Sequence, residues 1–265
     1  MQDKDPTSAV KVMLNKVPEI TLFFWVIKIL CTTVGETGAD FLNTGLNLGL
    51  DGVTVIMGVI LAVTLFFQFK LKKYVPSIYW LAVVLISIVG TLITDNITDK
   101  LGIPLVYTTI VFAITLSIVF AVWYKKEKTL SIHSIVTTRR ESFYWLAILF
   151  TFALGTAAGD LLAEKIDLGY MLSAIIFAGL IASVAISHFV FKVNAVLAFW
   201  IAYILTRPLG ASIGDYLSQD VDNGGLGLGT VITSVIFLGT ILATVIYLTI
   251  TKKDVIRKSN FGEQV

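Results

Sequence analysis

Trp25–Asp40 reads WVIKILCTTVGETGAD, and the same frame returns three times: Trp80–Asp95, WLAVVLISIVGTLITD; Trp145–Asp160, WLAILFTFALGTAAGD; and Trp200–Asp215, WIAYILTRPLGASIGD. Each copy opens on a tryptophan (Trp25, Trp80, Trp145, Trp200), sets a glycine ten residues on (Gly35, Gly90, Gly155, Gly210) and ends on an aspartate (Asp40, Asp95, Asp160, Asp215). The aspartates stand 55, 65 and 55 residues apart, and the extra ten residues fall in the polar stretch 125–142. Four fixed spacings of this kind are the signature of an internal repeat.

Each motif is apolar up to its aspartate, and a second apolar run follows after a short glycine-containing connection. The runs predict helices over 17–42, 53–69, 76–97, 103–124, 143–164, 170–191, 194–217 and 229–250. A spanning helix needs about 20 apolar residues, and these runs suffice with some tilt. The fold class expected is therefore an all-α membrane protein of eight transmembrane helices in four parallel two-helix repeats, arranged as two pseudo-symmetric halves. Two spans per repeat make every repeat enter the membrane from one side, so the repeats are parallel rather than inverted. The organisation expected is a tail 1–16, repeats 17–75 and 76–124, a linker 125–142, repeats 143–193 and 194–251, and a tail 252–265.

The composition supports this class. Of 265 residues, 56% are hydrophobic and 14% charged, against about 25% charged in a soluble domain, and the mean hydropathy is +0.87. A net charge of +2 without a basic cluster beyond membrane flanks excludes nucleic acid as a partner. The lone Cys31 forms no internal disulfide, and His133 and His188 make no soft metal site with it. Sixteen of the 20 Lys and Arg lie in the tails and in the loops near 70–75, 124–142 and 190–194. The positive-inside rule then makes both termini cytoplasmic and puts the motif aspartates toward the outer face. Residues 1–16 lack the apolar core of a secretory signal, so the first helix is expected to act as its own. The tail KKDVIRKSNFGEQV reads as a stop-transfer flank that touches anionic lipid.

The fourfold unit resembles a family of bacterial membrane-anchored proteins that carry four tandem two-helix repeats, each with a characteristic tryptophan, the repeat itself being of unknown function. The resemblance spans roughly 17–251. It implies a bacterial plasma membrane and supplies no activity and no functional residues, so the chemistry of the motif has to speak for itself.

Within the motif the glycines precede a second small residue by four positions: Ala39, Thr94, Gly159 and Gly214. Such pairs let helix backbones approach closely in lipid. The aspartates lie beside this seam. In-span carboxylates are costly and face a protein interior or water. Around a common axis the four would share one depth, and their mutual repulsion would call for a cation or protons. One turn deeper on the same face lie Glu36, Thr91, Thr156 and Ala211. The metal-ligating set expected is Asp40, Asp95, Asp160, Asp215 and Glu36, with Thr91 and Thr156 completing an oxygen-only cation site that suits Mn²⁺, Mg²⁺ or Ca²⁺ among divalent ions, with Na⁺ and H⁺ as the alternatives. The alternatives are aspartates solvated at the interface and a Glu36 paired with Arg207. Lys28 and Arg207 are the basic residues inside spans. They are read as charge-balancing groups, with snorkelling the alternative for Lys28. Pro208 is expected to kink its helix. The tryptophans, about 22 Å from the aspartates along a helix, are read as anchors at the opposite interface and as packing residues.

These features lead to the expectation of an integral membrane transporter or exporter of a small cation, a divalent metal such as Mn²⁺, with lipid and the ion as its partners and no permanently bound cofactor. An intramembrane enzyme, either an aspartyl protease or a lipid-modifying enzyme, is the rival from another class. It fits less well because four equivalent acids do not single out a catalytic pair, and neither a nucleophile–base pair nor a nucleotide loop is present. A non-transporting structural membrane protein is the third reading.

Overall fold

The computed structural model describes residues 15–255, and the ends of both predicted tails, 1–14 and 256–265, lie outside the described residues. Among those described there are eight long helices and no strand: α1 (Leu22–Asp40), α2 (Gly49–Lys70), α3 (Pro76–Asp95), α4 (Leu105–Glu127), α5 (Thr138–Asp160), α6 (Tyr170–Phe189), α7 (Ala195–Ser218) and α8 (Gly229–Thr251). All eight are long and apolar enough to cross a membrane, which makes this a multi-pass membrane protein.

Local chemistry sets the helix ends. Thr21, Thr137 and Asn194 cap α1, α5 and α7 through their side-chain oxygens, and Pro76 opens α3 where its missing N–H costs nothing. Each outgoing helix is reached through a glycine with positive φ at or just before its start: Gly49, Gly102, Gly169 and Gly229. That conformation is open to glycine and strained for most other residues. Immediately after Asp40, Asp95 and Asp160 the helix widens into a π-helical turn, over Phe41–Gly45, Asn96–Lys100 and Leu161–Lys165. Asp215 differs, because α7 runs on in α-form to Ser218.

The motif helices α1, α3, α5 and α7 form the inner layer and bury more than half of their spanning residues, whereas α2, α4, α6 and α8 bury fewer than a third. The inner helices close a ring in the order α1–α3–α5–α7–α1. The outer helices pack mainly against a neighbouring repeat rather than their own. Here α2 packs on α3, α4 on α5, α6 on α7, and α8 returns to α1. Each repeat's second helix thus covers the first helix of the next repeat, and the last repeat covers the first. Side chains such as Val55, Phe66, Ile110, Ile175, Val235 and Leu242 face outward from the outer layer, as apolar surface does when lipid is the solvent.

The motif glycines are where the inner helices touch. A Cβ on Gly35 would stand 2.7 Å from Ser87 Cβ, one on Gly90 2.7 Å from Phe152 Cβ, one on Gly155 2.5 Å from Arg207 Cβ, and one on Gly210 2.6 Å from Thr32 Cβ. Thr32, Ser87, Phe152 and Arg207 each lie eight residues before their own aspartate, so one contact is repeated four times round the ring. Gly214 is also close-packed, with Thr33 O 3.3 Å from such a Cβ, while Gly159 has ordinary clearance at 3.6 Å from Pro208.

The basic end is tied together by segments expected to be tails and a loop. Asn15 and Lys16 are buried rather than free, and Lys16 forms an ion pair with the fully buried Glu141 at 2.6 Å. Gln68 donates to the other Glu141 oxygen at 3.0 Å. Asp254 is buried as well: it accepts from the Tyr74 hydroxyl at 2.5 Å, and its carbonyl accepts from Glu19 N at 3.0 Å. The 125–142 linker is shortened from both sides, because α4 runs to Glu127 and α5 starts at Thr138, with Arg139 and Arg140 both bonded to Glu127.

Candidate functional site

Three layers stack along the inner ring, counted back from the aspartates at one end. The outermost holds the carboxylates. Oxygens of Glu36, Asp160 and Asp215 all lie within 4.8 Å of one another, from α1, α5 and α7. Glu36 and Asp215 are buried, and Asp160 is partly exposed. Asp40 and Asp95 stand outside this group, half-buried, yet within electrostatic range of Glu36. Of the five carboxylates expected as ligands, Glu36, Asp160 and Asp215 form the close group, and the extra acid Glu36 makes the arrangement asymmetric about the ring. Glu164, from the π-helical turn after Asp160, adds negative charge within range of Asp160 and Asp215.

The second layer holds Arg207. Its guanidinium donates to Glu36 Oε2 at 2.7 Å, to Thr156 Oγ1 at 2.7 Å, to Thr91 Oγ1, and to the Thr32 carbonyl at 3.0 Å. Rooted on α7, it touches α1, α3 and α5, so it lies on the axis of the ring and is wholly buried. Thr91 and Thr156, expected among the ligands of a cation, accept here from Arg207. The sequence places a basic group near Glu36 through the pairing alternative. It does not place that group across the two threonines, because Arg207 is eight residues from its own aspartate and Glu36 only four.

The third layer is apolar and cationic. Lys28 is wholly buried, its Nζ 4.2 Å from the centre of the Phe152 ring and 4.3 Å from that of Tyr203. It does not snorkel, since both ring faces hold it inside the bundle. Neither Lys28 Nζ nor Arg207 Nε has a hydrogen-bond partner, and the same is true of the Ser87, Thr151 and Tyr203 hydroxyls. Beneath them the basic half of the bundle is filled by aromatic rings. Phe24 lies 5.9 Å from Phe199 and 5.7 Å from Trp80, and the Tyr79 and Tyr144 hydroxyls meet at 2.5 Å.

The tryptophans belong to that packing. Trp80, Trp145 and Trp200 are buried, and Trp25 is half-buried against Phe24 and Phe199, as the packing part of their expected role requires. Trp200 Nε1 donates to the Leu130 carbonyl at 2.9 Å and Trp80 Nε1 to the Tyr74 hydroxyl at 3.1 Å. The residue before each tryptophan is buried as well: Phe24, Tyr79, Tyr144 and Phe199. An aromatic–tryptophan pair recurs in all four repeats and was the available signal for this layer. Pro208 does not interrupt α7, which runs unbroken from Ala195 to Ser218.

A closed ring of inner helices with a three-carboxylate cluster at one end and a buried cation beneath it defines a multi-pass helical protein built round a polar axis. The chain belongs to the family described as the Repeat of Unknown Function (DUF347), whose repeat matches it at residues 23–74, 78–129, 143–194 and 198–254. No curated protein and no solved structure matches the chain.

Proposed function

We propose that the protein is an integral membrane transporter that exports a small cation, with Mn²⁺ the ion its ligand chemistry suits best. The observation that carries this reading is the convergence of Glu36, Asp160 and Asp215 within 4.8 Å on three different inner helices. Carboxylates this close, in a bundle interior, repel one another unless they share a cation or protons. An oxygen-only set favours hard divalent ions over zinc or copper. Placement between helices that can shift relative to one another is what a transport site requires, whereas catalysis calls for a nucleophile or a base set apart from its neighbours. The membrane this reading implies is the bacterial plasma membrane, with both termini cytoplasmic and the carboxylate end facing outward, as the distribution of Lys and Arg argues.

The deciding experiment is growth of a deletion strain across a panel of metal salts, with cellular metal read by mass spectrometry and rescue by plasmid-borne variants. Selective sensitivity with raised content of one metal is expected. Wild type should rescue it, Asp160→Asn and Asp215→Asn should fail, and Asp40→Asn and Asp95→Asn should rescue in part. Absence of any metal phenotype, or full rescue by Asp160→Asn and Asp215→Asn alike, removes the carboxylate site as a transport site.

A further inference from the structure

Glu36 belongs to two sets at once. It accepts from the Arg207 guanidinium at 2.7 Å, and it is the third member of the group with Asp160 and Asp215. Arg207 itself is held by oxygens alone, two threonine hydroxyls, a carboxylate and a backbone carbonyl. That is the ligand chemistry of a hard metal ion. We infer that Arg207 is a tethered cation that competes with the transported ion for Glu36, so that the Glu36–Arg207 ion pair and a Glu36-bound cation exclude one another. The inference rests on the cation-transport reading above and adds the residue that sets the affinity of its site.

The surroundings of Arg207 dictate how the exchange proceeds. Its stem is wedged at Gly155, where even a methyl group on the glycine would collide, so the root of the side chain is fixed and only its charged end has freedom. Retreat away from the carboxylates is opposed by the wholly buried Lys28 side chain, whose ammonium nitrogen has no hydrogen-bond partner, and by the Phe152 and Tyr203 rings that flank it. A guanidinium displaced from Glu36 keeps the Thr91 and Thr156 hydroxyls and the Thr32 carbonyl as its acceptors. An ion arriving at Asp160 and Asp215 frees Arg207 from Glu36, and an ion leaving lets it return, which keeps Glu36 from standing as an unpaired buried charge in the empty state.

The electrostatic signature is specific. The work of bringing an ion up to a fixed positive charge scales with the ion's own charge. Removing Arg207's charge should therefore tighten binding of a divalent ion by about the square of the factor for a monovalent one. An arginine whose charge does not bear on the site would leave both affinities unchanged.

The test uses the full chain purified in detergent, with Mn²⁺ and Na⁺ affinities measured for wild type and for Arg207→Met, which keeps the stem at Gly155 and drops the charge. Mn²⁺ binding about tenfold or more tighter in the variant, with a smaller gain for Na⁺, is expected. Binding in the variant but not in wild type would support the competition in its strongest form. Measurable wild-type binding that the variant leaves unchanged or weakens overturns the inference and leaves the transporter reading standing. No binding by either protein removes both. Should Arg207→Met fail to fold, wild type decides through arginine labelled with ¹⁵N. The buried Arg207 guanidinium protons should be protected from exchange with water, and saturating Mg²⁺ should lower that protection. Unchanged protection in protein that binds Mg²⁺ overturns the inference, and absence of Mg²⁺ binding removes both readings.

Discussion

Gly35, Gly90, Gly155 and Gly210 each face a side chain on the next inner helix, and a methyl group on any of them meets an atom closer than packing allows. Gly90→Ala should accordingly lower the stability of the detergent-solubilised protein by about 1–3 kcal/mol, since Phe152 is rooted on a packed helix and cannot move aside cheaply. Gly179→Ala on α6, where nothing lies within 4 Å, should melt no lower than wild type. Equal melting of both variants would mean that the fourfold contact is not a real constraint. The two kinds of glycine are hard to separate from sequence, but the motif spacing marks Gly35, Gly90, Gly155 and Gly210 as a set, and that set is the one at the crossings. The Glu36–Arg207 pair was legible as an alternative in the sequence, but the contacts of Arg207 with Thr91 and Thr156 were not. Repeat symmetry directs attention to positions that match, and Arg207 occupies a position filled by Thr32, Ser87 and Phe152 elsewhere, so its reach across the axis follows only from the three-dimensional ring.

At the scale of elements, the outer helices and the short segments at the basic end carry constraints of their own. Lys16 and Glu141 bring the segment before α1 against α5 through a buried ion pair. Glu141→Gln leaves the Lys16 ammonium without its counter-charge, and should cost about 3 kcal/mol of stability. Adding Lys16→Met to it should recover most of the loss, a result read by thermal melting of the two variants side by side. Asp254 fastens the segment after α8 to Tyr74. Burial raises the Asp254 pKa above the ordinary carboxylate range, so the folded protein holds that proton more tightly than the unfolded chain does. Stability from this group is then full below the unfolded pKa and is lost as pH rises through the folded one. Asp254→Asn should flatten that slope in the mildly acidic range, and an identical pH profile in the variant would rule the contribution out. Helix existence and approximate ends were legible from apolar run length. The fastening of the flanks was not, because Lys16, Glu141 and Asp254 read as ordinary cytoplasmic charges until the fold buries them.

At the scale of the whole molecule, the closed inner ring and the cyclic handover of outer helices leave the described ends side by side, with Glu19 N bonded to the Asp254 carbonyl. Joining the two ends through a short linker and reopening the chain in the exposed Val190–Asn194 loop should give a permutant that still inserts, folds and melts within a few degrees of wild type. Failure of the permutant to accumulate as a monodisperse species would argue that the order of insertion, not the final packing, specifies the fold. Four repeats and their common direction were legible from Trp25 to Asp215, but the partner of each outer helix was not, since nothing in the spacing says whether α2 covers α1 or α3. That choice has a consequence during synthesis. The flank of α1 that α8 eventually covers, including the Thr37–Ser234 contact at 2.8 Å, stays bare until the final span has left the ribosome. A nascent chain halted anywhere before Gly229 would display that open seam to lipid, to insertion chaperones and to membrane proteases, so the arrival of α8 is itself the event that hides the molecule from quality control.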